Sequence, residues 1–171
     1  MGISLAAVFA VSMIGTAFAG AHPAWITPTE FSIEQKGNIA VLSVTTGADI
    51  PKKPDDFVNA NVVAGFAWVD LDSGEIVVTT IHPNFGRDSH QNPDAWHVHT
   101  ATLESSTEIS DFCVVSINTT PEARISTIKN TQTLRINVGD LAVDVSDLDA
   151  AVGFTINPEA GCSSGLGVQL A

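Results

Sequence analysis

The sequence predicts an all-β domain, built as a single antiparallel β-sandwich with one disulfide. Three observations predict it. Apolar residues alternate with a period of two rather than 3.6 along most of the chain. Thr, Val and Ile dominate these alternating runs, as pleated half-buried surfaces favour. Turn-forming residues punctuate the runs at near-regular spacing, which suits two packed antiparallel sheets.

The elements follow in order. Strands are expected over residues 30–34, 39–46, 61–70, 75–82, 95–103, 111–117, 123–128, 133–138 and 151–156, with a short closing strand at 166–170. Asp70-Leu71-Asp72-Ser73-Gly74 reads as a hairpin turn in which Gly74 supplies positive φ. Lys129-Asn130-Thr131-Gln132 joins two further short strands. Residues 144–151 hold room for one helical turn, with Ser146 as its expected cap. The arrangement is of the Ig/cupredoxin-like kind. Cys113 falls in an apolar strand run and Cys162 in a loop of small residues, and the simplest pairing is one structural disulfide. A closed loop of about 50 residues stabilises a fold by roughly 4 kcal/mol on the chain-entropy account.

Charge and composition set the partners. The chain has 171 residues, with 7 Lys and Arg against 19 Asp and Glu, for a net charge of −12. So acidic a protein is not built for nucleic acid or anionic membrane surfaces, which need clustered Lys and Arg. Residues 1–21 contain both methionines and no charged residue. Their apolar run ends in Ala17-Phe18-Ala19 and Ala19-Gly20-Ala21, both small-x-small cleavage patterns, although no Lys or Arg precedes it. The expectation is a cleaved signal peptide over 1–21 and a single β-sandwich domain over 22–171. The mature protein is then secreted, periplasmic or at the cell surface, with no membrane insertion after cleavage.

Histidine is distributed unequally. Four of the five histidines, His82, His90, His97 and His99, fall between positions 82 and 99, and the fifth is His22. In Trp96-His97-Val98-His99 the two imidazoles share one face of a strand, roughly 6.5–7 Å apart along the backbone, and can converge on one ion. His82 ends the preceding strand and His90 lies in the long connection after it, so either can add a ligand. Asp88 and Asp94 are carboxylates near enough in sequence to ligate or to orient an imidazole. The mature chain has no methionine, and its cysteines are expected to be paired. Soft thioether and thiolate sites are thereby excluded, which leaves nitrogen and oxygen ligands suited to copper(II) or zinc(II).

The triplet His97-Val98-His99 is similar to the copper-holding triplet of copper/zinc superoxide dismutases. No histidine follows it to complete that family's ligand set, so dismutase activity does not carry over. Cleavage after Ala21 makes His22 the first mature residue, offering its α-amine and imidazole together. With His97 or His99 this arrangement resembles the histidine brace of lytic polysaccharide monooxygenases and of small periplasmic copper carriers, both exported β-sandwiches. Cleavage after Ala19 abolishes it.

The leading functional expectation is an exported protein that holds copper or zinc through His97 and His99, completed by His82, His90 or His22. It binds or delivers the ion rather than catalysing turnover, with another envelope protein as a partner. The alternatives are a copper oxidase or monooxygenase using the His22 brace, and a structural or adhesive surface domain without metal.

Overall fold

A computed structural model of the chain describes residues 22–53, 63–82, 95–106, 110–119, 123–141 and 143–171. The expected leader, residues 1–21, lies outside them, as does His90. Ten strands run in chain order: β1 Pro28–Lys36, β2 Ile39–Thr46, β3 Val63–Val69, β4 Glu75–Ile81, β5 His97–Ser105, β6 Phe112–Thr119, β7 Ala123–Ile128, β8 Thr131–Asn137, β9 Ala150–Pro158 and β10 Leu166–Leu170. Each expected strand is present, with ends displaced by a few residues. No helix among the described residues is long and apolar enough to cross a membrane.

The strands form two sheets. Four of them pair in the order β1-β2-β8-β7, and the other six close on themselves in the order β10-β6-β5-β4-β3-β9. The expectation of a plain two-sheet sandwich is therefore corrected: one of its layers is a barrel. Alternation dictates which residues face inward, but it does not say whether the two edges of a sheet meet. β3 and β4 are buried on both faces over almost their whole length, because they lie between the barrel interior and the four-stranded sheet. A layer covered on both sides reads as a continuous apolar run, here Val63-Ala64-Gly65-Phe66-Ala67-Trp68-Val69.

Two cores result. Phe66, Trp68 and Val77, on the outside of the barrel, pack with Leu42, Val44, Leu134 and Ile136 of the four-stranded sheet. Ala67, Val78, Ala101, Val114, Phe154 and Val168 face the opposite way and line the barrel interior. The segment before β1 lies over β9, where a Cβ on Gly153 would stand 1.6 Å from the carbonyl oxygen of Ile26. Only glycine permits that crossing.

Closure is narrow. β6 meets β10 through two residue pairs, Cys113↔Gly167 and Phe112↔Val168. The Cys113–Cys162 disulfide, expected from the sequence, ties β6 to the β9–β10 connection beside this seam. Turn expectations hold at Gly74, which has a φ of 73° and donates its N–H to the Asp70 carbonyl at 3.0 Å. The turn at 144–151 is a short 3-10 segment, Val145–Asp147, capped by Asp144 rather than by Ser146. A carboxylate one residue before the first turn reaches the orphan N–H more directly: Asp144 accepts from the Ser146 N–H at 2.9 Å.

Candidate metal centre

β4 and β5 build the site. In their antiparallel ladder Thr80 lies opposite His97 and Val78 opposite His99. Residues two apart on a strand share a face, so His97 and His99 point the same way as their partners, into the barrel. His82 follows the end of β4 two residues after Thr80 and joins that face. The alternating residues of β5 secure its other face: Val98 is buried in the inter-sheet core. Trp96 stacks on Phe66 with ring centroids 5.7 Å apart and donates its indole N–H to the Pro51 carbonyl at 3.3 Å. The two histidines of β5 are thus aimed by the tryptophan and valine between and beside them.

The three imidazoles converge. His82 and His99 are buried, at 4% and 5% relative exposure, while His97 is partly buried at the barrel mouth. One ligating atom from each lies within 4.8 Å of the others. Ring centroids stand 4.6 Å apart for His82 and His97, 4.9 Å for His97 and His99, and 6.4 Å for His82 and His99. Both shorter pairs are near-perpendicular and the longer pair is near-parallel, so His97 forms the stem of a T whose arms are His82 and His99.

This triangle has a chemical dimension. One point in its plane lies about 3.2 Å from all three centroids. A metal–nitrogen bond of about 2.0–2.1 Å plus a step of about 1.15 Å from ring nitrogen to ring centre would span the same distance if each ring turned a nitrogen toward that point. The Nε2 atoms of His82 and His97 are 2.9 Å apart. With bonds of that length to one ion, this separation subtends an angle of about 90°.

Hydrogen bonding sets the tautomer of His97. Its Nδ1 lies 3.1 Å from the carbonyl oxygen of Ala95. A carbonyl only accepts, so Nδ1 carries the hydrogen and Nε2 presents its lone pair. A backbone carbonyl that accepts from the far nitrogen of a histidine and so fixes its ring is a common support of metal ligation. With no ion bound the Nε2 lone pair of His97 accepts from the Nε2–H of His82, 2.9 Å away, and the Thr80 hydroxyl lies 3.2 Å from the same nitrogen.

Of the five histidines singled out in the sequence, the structure brings together His82, His97 and His99. His22 is described and does not belong to this group, and His90 lies outside the described residues. Sequence reasoning missed Thr80 and the Ala95 carbonyl. Thr80 was within reach of it, because it shares a strand face with His82. The carbonyl was not, since the ring orientation that engages it has no sequence signature.

Comparison of the chain with family models, with curated proteins and with solved structures finds no match. The functional reading therefore rests on the site itself, a set of three histidines able to hold a metal ion.

Proposed function

We propose that this is an exported protein that holds one divalent transition metal ion on His82, His97 and His99, with copper favoured over zinc, and that it binds or delivers the ion rather than catalysing turnover. The observation that carries this reading is the T of imidazoles. Two arms roughly opposite one another and a stem near 90° to each suit a tetragonal ion. Copper(II) also stands highest among divalent first-row ions for nitrogen ligands. Export is supported by the apolar leader with its small-x-small ends and by the Cys113–Cys162 disulfide, which persists in oxidising compartments. The net charge of −12 raises the local cation concentration without selecting among cations.

Electron paramagnetic resonance of the protein loaded with one equivalent of copper(II) tests the geometry. The expected spectrum is axial, with hyperfine splitting from three imidazole nitrogens. His97→Ala removes one of them. A spectrum identical in wild type and His97→Ala overturns the assignment.

A further inference from the structure

We infer that the barrel interior is a binding site for one small uncharged molecule, about the size of a single aromatic ring, that is apolar except for one hydrogen-bonding group. The interior encloses a cavity of about 180 Å³. An apolar cavity of roughly 150 Å³ is enough to bind benzene. The space exists where short side chains, among them Ala67, Val78, Ala101, Val114, Val152 and Val168, face one another across the lumen. Six strands closed around longer side chains would leave no such room.

The lining selects the ligand's chemistry. Among the described residues no Asp, Glu, Lys or Arg faces the cavity, so a charged molecule would lose its hydration without a partner from this lining. Among the described lining residues the polar side chains are Thr80, His82 and His99, and all three stand at the β4–β5 end. A single polar group on the ligand is met there and orients the rest along the barrel. Pockets with an apolar body and a few converging polar groups are the usual form of small-molecule sites. Val152, Ile156 and Leu170 line the lumen yet remain partly exposed, so the side chains of the described residues do not finish covering it. An occupant supplies the missing dispersion contacts. The ligand's polar group draws on His82 and His99, which the proposed metal site also uses, so binding is tested on the metal-free protein, where its failure is distinguishable from a failure to bind metal.

The test uses p-cresol as the uncharged probe and benzoate as a charged one of similar size, added to the metal-free protein with methyl groups of Ala, Val and Ile observed by NMR. Saturable shifts of lumen methyls with a Kd below about 1 mM are expected for p-cresol, with benzoate at least about tenfold weaker. Val114→Phe fills the lumen four residues along β5 from the level of His99, since Val114 pairs with Leu103. That variant should weaken p-cresol at least about tenfold with its melting transition retained. Ala101→Leu serves the same purpose if Val114→Phe does not fold. The inference is overturned by absence of saturable p-cresol shifts, by benzoate binding as tightly as p-cresol, or by a folded lumen-filling variant that binds p-cresol as wild type does.

Discussion

His97 donates its Nδ1–H to the carbonyl oxygen of Ala95 across 3.1 Å, which turns its Nε2 toward the Nε2 of His82, 2.9 Å away. The bond is short in sequence, spanning two residues, yet it decides which nitrogen of a strand-borne histidine is available to an ion. It also shows why the cluster sits at the start of β5, where the backbone leaves the sheet and a carbonyl is free to turn back on the ring.

Each ligand should matter to a similar degree, because three nitrogens leave no redundancy. Replacing His82, His97 or His99 singly with Ala should weaken copper(II) binding by more than about 100-fold, beyond the 10–100-fold that loss of an outer-shell partner costs. Thr80→Val keeps all three imidazoles and should change affinity by less than about tenfold. Competition titration against a chelator of known affinity reads both. Equal effects of Thr80→Val and His97→Ala would contradict the ligand assignment.

Gly153 is required by packing and not by a turn. Ala at 153 drives its Cβ into the Ile26 carbonyl, which cannot move without lifting the segment before β1 from β9. A loss of about 3 kcal/mol is expected for Gly153→Ala in denaturant unfolding, the upper range for overpacking. The exposed Gly37, whose added Cβ would touch nothing within 4 Å, differs in kind: its φ of 61° makes substitution a matter of backbone strain alone.

The disulfide reinforces the weakest seam of the barrel. Cys113 and Cys162 are 49 residues apart, and β6 meets β10 through only two residue pairs. Replacing both cysteines with Ala should cost about 4 kcal/mol on the chain-entropy account. Hydrogen exchange should show the added opening first in β10. Uniform loss of protection across both sheets would argue that the seam is not the weak point.

The β3–β4 turn carries the pH dependence that the geometry makes explicit. Asp70 accepts the Ser73 hydroxyl hydrogen and the N–H groups of Ser73 and Asp72. The Ser73 hydroxyl, foremost among these, holds the carboxyl below its ordinary value. A carboxylate with a depressed folded pKa stabilises the fold above its unfolded pKa, and that stabilisation is lost as pH falls through the folded value. Ser73→Ala removes the main cause, so the acid-induced loss, which starts near the unfolded carboxyl value in both proteins, should be smaller and finish at higher pH than in wild type. Asp70→Asn should flatten the melting temperature against pH below about pH 4. Parallel profiles for all three proteins would contradict this role.

Most strand positions were legible because one face of the strand lies on a core, and alternation reports that directly: Ile39–Thr46 shows it without a break, whereas β3 and β4, covered on both faces, do not alternate in burial. Barrel closure was not legible. It depends on β6 and β10 meeting at Cys113↔Gly167, a contact between distant segments that no local pattern encodes. His97 and His99 were readable from their spacing, and His82 from its place at the end of the preceding strand. The T they form, and the cavity behind them, depend on cross-strand register and on ring rotation, which the sequence leaves open. Asp144 in place of Ser146 as the cap shows the same limit at the scale of one residue.

The most direct test of the three-histidine centre is copper content after equilibration with copper(II) and exhaustive dialysis. Wild-type protein and a variant with His82, His97 and His99 all replaced by Ala are compared, each first confirmed as β-folded by circular dichroism. The account predicts one copper per wild-type chain and less than about 0.1 per variant chain, since affinity resides in the converging imidazoles. A folded variant that retains one copper per chain would contradict it.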